Sequence, residues 1–226
     1  MRFLLATVVV LFLSGPAMAA DVCRGCSFAG KKLENVDYRG ADLSRADFRG
    51  ANLKWANFTG ARLEDADFTG ADLFHAILDE AVLTRARLVN ANLFGANLIG
   101  TKAAGADFTG AFLKDVLMED IDLTGATLEG SVMFRGVIAG GTFRGARLRS
   151  LDMTGVHAEN CDFSDADLTG SRLTGASVRH ARFHRADLAN TDFTHADLLN
   201  ADFDGARNIP SSVGEGLGRF FGAEGR

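Results

Sequence analysis

Proline, tryptophan and tyrosine are scarce in this sequence, whose 226 residues include 2 Pro, 1 Trp and 1 Tyr. The chain nevertheless holds 18 Phe and 26 Gly. Few globular domains combine so much phenylalanine with so few of the other two aromatic residues. A narrow set of residues used many times is typical of an internally repeated chain.

The sequence also lacks a block of charge of one sign, because basic and acidic residues are interspersed. The formal net charge is −5. A nucleic-acid-binding protein usually carries a clustered basic face. The sequence has no such cluster, so we expect no nucleic-acid partner, and the mixed surface favours solubility.

Only one long apolar run is present, and it lies at the N-terminus. Arg2 supplies a positive start, residues 3–13 are mostly apolar, and residues 17–19 read Ala-Met-Ala, which fits the small-x-small cleavage rule. The run is shorter than the about 20 residues that a transmembrane helix needs. We predict a cleavable signal peptide over 1–19, export to a bacterial periplasm and no stable membrane span after cleavage; an uncleaved anchor is the alternative.

Consecutive units of five residues run from Cys26 to Gly205 without a break in frame. Residues 41–60, for example, read ADLSR ADFRG ANLKW ANFTG. The third residue of a unit is usually Leu or Phe, the first is usually Ala, the second is often Asp or Asn and the fifth is often Gly. Five residues advance an α-helix by about 500°, so the apolar positions would wander around its surface. A β-strand has period two and is excluded as well.

A five-residue period requires a chain that turns a corner every five residues. Four corners close a coil of 20 residues, and coils stack at the sheet spacing of about 4.8 Å. We expect about nine coils, which would form a rod about 43 Å long. The third residue should fill the interior with the small first residue beside it, while the other three residues face solvent. Glycine suits the corner because it tolerates unusual backbone angles.

This pattern resembles the A(D/N)LXX repeat of the pentapeptide-repeat family. The resemblance implies an all-β solenoid, a right-handed quadrilateral β-helix, but no single function, because one fold hosts many roles. We therefore divide the chain into a signal peptide (1–19), an N-terminal cap segment (20–25), the β-helix (26–207) and a C-terminal tail or cap (208–226). The tail is too short and glycine-rich to predict a helix.

Stacking places residues that are 20 positions apart above one another. Two interior ladders of aromatic rings follow, and their offset stacking should stabilise the rod. The ladders are Phe28, Phe48 and Phe68, and Phe143, Phe163, Phe183 and Phe203. Two irregular units, 101–105 and 156–160, have Ala at the central position. Either small loops form there, or the sequence varies because the scaffold tolerates the change. Gly136, Gly140 and Gly141 are expected to loosen a corner.

Cys23 and Cys26 form a Cys-x-x-Cys that resembles the one opening many pentapeptide-repeat domains. In frame, Cys23 is a third residue and Cys26 a first residue, so both should point inward. A redox-active thiol would need a helix N-terminus, and a zinc site would need four ligands. In an oxidising compartment we prefer a disulfide between them. We interpret Cys161, at an Ala position, as a buried spacer.

No catalytic, cofactor-binding or metal-binding residues are predicted. All five histidines lie at outward positions without converging partners. The sequence shows no phosphate loop, nucleophile elbow or zinc-protease motif. The many Asp residues belong to the repeat, and we attribute them to solubility and corner geometry. A smooth rod also lacks the concave pocket of an enzyme, so we predict a non-enzymatic protein without cofactors.

One group of outward positions is apolar where polar residues are expected. Phe74 and Phe94 should be stacked neighbours one coil apart, and the others surround them on two adjacent faces. Exposed apolar patches often mark interaction surfaces. The candidate patch consists of Phe74, Ile77, Phe94, Ile99, Phe112, Leu117, Val132, Phe134 and Val137. There are two alternatives: loops near Ala103 cover these side chains, or they are scattered apolar substitutions that the scaffold tolerates.

The sequence therefore favours a periplasmic structural or interaction scaffold, which binds a protein partner or associates with itself. A second hypothesis comes from the family resemblance, since some cytosolic members resemble B-DNA and bind DNA gyrase. The export signal disfavours it. Mixed charge disfavours it too, because Arg62, Lys102 and Arg182 should share a column with Asp42 and Asp162.

Overall fold

The computed structural model describes residues 23–214, and one backbone pattern repeats through nearly all of them. The second residue of each pentapeptide forms a parallel β-bridge with the residue 20 positions later, from Ser27↔Asp47 to Asp187↔Arg207. The fourth and fifth residues form a turn. The predicted 20-residue coil is therefore confirmed. The predicted signal peptide, and Leu217, Phe220 and Phe221 of the tail, lie outside the described residues.

The coil has four faces, each holding one pentapeptide of every coil. Face 1 is centred on Phe28, face 2 on Leu33, face 3 on Tyr38 and face 4 on Leu43, and each continues at every twentieth residue. A strand on a face is only a single bridge residue at the second position. Among the described residues 23–214, no helical segment has the length and hydrophobicity of a membrane span.

Backbone hydrogen bonds hold successive coils together. The N–H of Phe48, a third residue, donates to the carbonyl of Asp67 in the next coil (2.7 Å), and the N–H of Asp67 donates back to Ala46 (2.9 Å). The first residue closes the corner, as when the N–H of Ala51 donates to the carbonyl of Phe48 (3.0 Å). The fifth N–H also reaches the next coil, so the N–H of the fourth residue is the one without a backbone partner.

Where the second residue is Asp or Asn, its side chain usually accepts this fourth N–H. In one pentapeptide Thr109 N donates to Asp107 Oδ1 (3.0 Å), and the Thr109 hydroxyl donates to the same oxygen (2.6 Å). Asp and Asn side chains commonly accept an N–H two residues further along. Our attribution of these residues to solubility and corner geometry was therefore incomplete, because they satisfy the backbone.

The fifth residue turns the corner with a positive φ, whether or not it is glycine. Gly60 has a φ of 64°, while Arg45 and Trp55 have φ values of 60° and 56°. A positive φ at the third residue of a four-residue turn is what type II turns require, and glycine adopts it most easily. This requirement explains the frequent glycine at the fifth position.

The interior contains the third and first residues, as predicted. The rings of Phe28 and Phe48, and those of Phe48 and Phe68, stack with centroids 4.8 Å apart. In the second ladder, successive rings are 4.9, 5.1 and 4.9 Å apart from Phe143 to Phe203. Both aromatic ladders are confirmed.

The two irregular units remain in register and form no loop. Lys102 and His157 keep their β-bridges, and Ala103 and Ala158 are fully buried. In the first of these units the hydroxyl of Thr101 donates to the carbonyl of Leu78 (2.7 Å), which satisfies a buried polar group. Small residues therefore fill the interior here without bending the chain out of the coil.

Gly136 and Gly141 do not loosen a corner, and that expectation was wrong. Both are buried first residues, and only Gly140 lies at a corner, with a φ of 73°. A Cβ on Gly141 would lie 2.8 Å from the carbonyl oxygen of Ile138, and one on Gly136 would lie 3.0 Å from Met133 Cγ. Glycine is present at 136 and 141 because the interior has no room for a methyl group.

The two ends of the described rod differ. At the start, Cys23 and Cys26 form a disulfide with Cα atoms 5.4 Å apart, and both pack partly buried against the core. At the other end, residues 211–214 form a helical turn after Pro210, although no helix was expected there. Val213 of this turn is buried in the core cluster, so the chain folds back over the last coil.

Candidate interaction surface

The nine predicted residues lie together on the middle of faces 2 and 3. The rings of Phe74 and Phe94 stack with centroids 5.4 Å apart, and those of Phe94 and Phe112 are 6.1 Å apart. Two β-bridges, Phe112↔Val132 and Leu117↔Val137, make those pairs direct neighbours. We call the nine residues the central patch: Phe74, Ile77, Phe94, Ile99, Phe112, Leu117, Val132, Phe134 and Val137.

The central patch faces outward and is not covered by any loop among residues 23–214. Phe112 is 40% exposed and Ile99 is 37% exposed, while the other seven side chains are half-buried against their neighbours. The unit 101–105, which was a candidate covering loop, lies in register within the coil. The patch is therefore an apolar surface of the rod rather than part of its core.

Sequence reasoning missed two contributors to this surface. Trp55 is 50% exposed and packs edge-on against Phe74, with centroids 5.7 Å apart. The ammonium of Lys114 lies 5.7 Å from the Phe94 ring centroid and 5.9 Å from that of Phe134. The 20-residue register was the available signal, because it places Lys114 between the two phenylalanines in one column.

An ion pair lies beside Phe134, at the edge of the central patch. Arg135 donates two hydrogen bonds to Asp115, Nε to Oδ1 at 2.8 Å and Nη2 to Oδ2 at 2.9 Å. The guanidinium also lies 5.3 Å from the ring of Phe134. These hydrogen bonds lower the pKa of Asp115. The fork holds a planar cation against an aromatic ring at the edge of the central patch.

Five residues of the central patch stand at second positions, where Asp or Asn, when present, usually accepts the fourth N–H. In these pentapeptides the fourth N–H has no side-chain acceptor among the described residues, whereas Phe94 N still donates to Asn92 Oδ1 at 3.2 Å. A neutral hydrogen bond contributes about 0.5–1.5 kcal/mol. The patch thus gives up a repeated stabilising contact at Ile77, Phe112, Leu117, Val132 and Val137.

Other groups of reactive residues do not form a site. Among residues 23–214, no three His, Cys, Asp or Glu side chains converge as metal ligands. His184 Nε2 lies 2.6 Å from Asp202 Oδ2, which makes an isolated surface pair. Cys161 is buried, its thiol donates to the carbonyl of Ile138 (3.0 Å), and burial raises its pKa to about 12. Such a thiol is not reactive near neutral pH.

Two clefts among residues 23–214 are each lined by an ion pair. One is lined by Asp165, Arg185, Gly205 and Arg207, but Arg185 donates from Nε and Nη2 to Asp165 at 2.7 and 2.6 Å. A paired carboxylate of this kind serves the ion pair rather than proton transfer. The central patch is therefore the surface that the repeat itself does not explain.

The family model of pentapeptide repeats matches the chain in eight copies. The matched residues are 26–65, 66–102, 91–130, 142–179 and 171–207. The chain belongs to the pentapeptide-repeat family. Among curated proteins, no sequence relative matches it.

Solved structures similar to this pentapeptide-repeat protein belong to the same family. HetL, involved in regulation of heterocyst differentiation in the cyanobacterium Nostoc sp., is 30% identical over 81% of this chain and 89% of its own, with a TM-score of 0.43. Full-length QnrB1, a plasmid-mediated fluoroquinolone resistance protein, is 16% identical over 89% and 100%, with a TM-score of 0.44. A protein of the Arabidopsis thaliana thylakoid lumen is 33% identical over 54% and 68%, with a TM-score of 0.29.

Proposed function

We propose that this pentapeptide-repeat protein is a non-enzymatic interaction scaffold that binds another protein through the central patch. The observation that carries the proposal is the set of five apolar second-position residues. Each occupies a position where Asp or Asn would stabilise the turn, and all five lie on face 2, which carries the stacked rings of Phe74 and Phe94, or on the adjacent face 3. Neighbouring outward apolar side chains of this kind often mark an interaction surface.

The proposal places the scaffold in a bacterial periplasm. The export signal over 1–19 supports this compartment. The disulfide between Cys23 and Cys26 also supports it, because disulfides persist in oxidising compartments.

The finer architecture is part of the same proposal. Bridges from Ser27 to Arg207 with a constant 20-residue step support about nine coils. Membership in the family supports a right-handed quadrilateral helix. In this proposed arrangement the central patch lies near the middle of the rod, away from both ends.

Mimicry of DNA is less well supported than the scaffold function. A DNA-like rod needs continuous anionic faces, whereas the second-position column of face 4 bridges Asp42 to Arg62 and Asp162 to Arg182. The ion pair between Arg62 Nη1 and Asp42 Oδ2 (3.9 Å) further neutralises this column.

Site-specific photo-crosslinking in the cells that produce the protein tests the scaffold function. A photoreactive residue at Phe112 should give a discrete adduct, and the substitution Ile99→Asp should remove it because a charge disrupts an apolar contact. The matched control is the photoreactive residue at Thr124 on face 4, which should give no adduct.

The mass of the adduct separates the kinds of partner. Twice the mass of the chain would identify self-association, which light scattering of the Phe94→Asp variant checks independently. Identical results from positions 112 and 124, or an adduct that survives Ile99→Asp, would contradict the proposed function.

A further inference from the structure

Four carboxylates lie at one corner of face 3, beside the central patch. Asp79 and Glu80 precede Ile99 by one coil, and Glu119 and Asp120 follow it by one coil. Glu80 N donates to the carbonyl of Ile99 (2.8 Å), and Gly100 N donates to the carbonyl of Glu119 (2.9 Å). The three coils are consecutive, so the two acidic pairs are about 10 Å apart along the rod, with the exposed Ile99 between them.

The chain does not neutralise these carboxylates within residues 23–214. None of the four forms an ion pair, although forks such as Arg85–Asp65 and Arg185–Asp165 neutralise acids elsewhere. Asp79 accepts only the N–H of Ile99 (2.9 Å). Glu80, Glu119 and Asp120 are exposed, so this corner presents carboxylates without an ion-pair partner next to apolar surface.

A second copy of the chain does not fit this surface. A two-fold axis through Ile99 across the rod would place Asp79 and Glu80 of one copy against Glu119 and Asp120 of the other. A two-fold axis along the rod would place each acidic pair against itself. Like charges across an interface are unfavourable and suppress such partners. Nucleic acids and anionic membranes are repelled for the same reason.

We infer that the partner bound by the central patch is a protein segment whose apolar side chain is flanked on both sides by Lys or Arg. This inference rests on the proposed function and adds the chemistry of the partner. The apolar side chain packs on Ile99 and Leu117, and the flanking cations meet the two acidic pairs. Complementary charge also steers the segment toward the rod before contact.

Three synthetic peptides with blocked termini test the inference by fluorescence anisotropy with the purified protein. The cationic probe is Lys-Arg-Leu-Phe-Leu-Arg-Lys. One control replaces its four cations by Glu, and the other replaces Leu-Phe-Leu by Ser-Gly-Ser. The cationic apolar peptide should bind, and both controls should bind at least about tenfold more weakly, because binding needs charge and apolar contact together. Its binding should weaken in 1 M salt, where the screening length is about 3 Å.

Two matched variants assign the binding to this corner. The test variant removes its four charges with Asp79→Asn, Glu80→Gln, Glu119→Gln and Asp120→Asn. The control variant removes the same number of charges elsewhere with Glu34→Gln, Asp122→Asn, Glu129→Gln and Asp204→Asn. We expect the affinity for the cationic peptide to fall about tenfold or more in the test variant and to stay within about twofold in the control.

The outcomes separate this inference from the proposed function. Equal weakening in both variants, or equally tight binding of the acidic peptide, overturns the inferred partner charge. If the acidic peptide binds and Ile99→Ser removes that binding, the interaction surface stands and only the partner chemistry fails. If no peptide binds in a manner that depends on Ile99, both proposals fail.

Discussion

The second-position Asp or Asn has a backbone role at almost every place where it occurs. Its side-chain oxygen accepts the fourth N–H, the one amide in each pentapeptide that neither the turn nor the next coil satisfies. Asp47 adds a charge to this role, because Arg49 N donates to Asp47 Oδ1 (3.1 Å) while the guanidinium donates from Nε (2.8 Å) and Nη2 (2.7 Å). One side chain therefore closes a turn and holds an ion pair.

We predict that acid weakens the fold partly through Asp47. The hydrogen bonds from Arg49 lower its pKa from 3.8 to about 2. Because the pKa is lower in the folded state, the stabilisation is complete above pH 3.8 and is lost as pH falls from there through about 2. In urea unfolding, the Asp47→Asn variant should show a shallower pH dependence across this window, while Asn keeps the acceptor for the Arg49 N–H.

The control for this pH series is Asp204→Asn, which removes an exposed carboxylate that forms no ion pair among residues 23–214. Its pH dependence should follow that of the unmodified protein. Parallel curves for all three proteins would show that the Asp47 pair contributes nothing to folding. The pair is largely solvated, so the difference should be small.

A pentapeptide with an apolar second residue lacks one turn contact and presents one more outward apolar side chain. On faces 2 and 3 such pentapeptides are neighbours, through the bridges Phe112↔Val132 and Leu117↔Val137. An isolated exchange would be a tolerated variation, but adjacent ones build a surface. The element that matters for binding is thus a block of neighbouring pentapeptides rather than any single one.

We predict that restoring a polar residue at the second position abolishes binding while the fold keeps its stability. In the variant Phe112→Asn with Leu117→Asn, each new Asn accepts a fourth N–H, worth about 0.5–1.5 kcal/mol, which offsets the lost apolar contact. The melting temperature should stay within about 4 °C or rise. With the photoreactive residue placed at Phe134 instead, because position 112 is now Asn, the variant should form no adduct, whereas the otherwise unmodified protein should form one.

The opposite exchange, Asn57→Leu on face 3, is the matched comparison. It removes an acceptor that holds both Thr59 N (3.0 Å) and the Thr59 hydroxyl (2.7 Å), so its melting temperature should fall. If the Asn-restored variant loses more stability than Asn57→Leu, the apolar residues serve the fold instead of a partner.

Each coil of the whole rod packs mainly on the coils before and after it. A side chain in the middle of a ladder has two stacked neighbours, as Phe163 has Phe143 and Phe183 at 4.9 and 5.1 Å. Phe203 is half-buried and stacks on Phe183 alone within its ladder, at 4.9 Å. In repeat proteins, stability is close to a sum of such nearest-neighbour terms.

We predict that removing a ring of the second ladder costs less stability at the end of the rod than in its middle. Phe163→Ala leaves a cavity between two rings and should lower the free energy of unfolding by about 3–5 kcal/mol. Phe203→Ala should lower it by less than half as much. Hydrogen exchange should show lost protection confined to the last coil for Phe203→Ala. Equal losses of stability from the two substitutions would contradict nearest-neighbour behaviour.

The period alone predicts much of this molecule, because a five-residue repeat determines which residues face inward and which lie 20 positions apart. It therefore predicts the Phe163 ladder and the contact between Phe74 and Phe94. The role of Asp107 was missed because it depends on which backbone groups the coil leaves unsatisfied. Gly141 was misread because the space around it is limited by Ile138 and Phe143.

Surface properties were harder to predict because they depend on pairing. Trp55 occupies a corner position, and its contact with Phe74 follows from ring geometry that the repeat does not specify. The acidic corner around Ile99 emerges only once the ion pairs of the other carboxylates are known. A sequence shows where charges are, but the structure shows which of them are neutralised.

The strict register has a consequence for how such a chain can change its length. Inserting one pentapeptide between Phe94 and Phe134 would rotate everything beyond it by a quarter turn, which would move Phe134 out of the column of Phe94. Inserting four would preserve every column and only add one layer. Adding or removing whole coils outside the central patch therefore changes its distance from either end while its columns stay aligned with those of the rest of the rod.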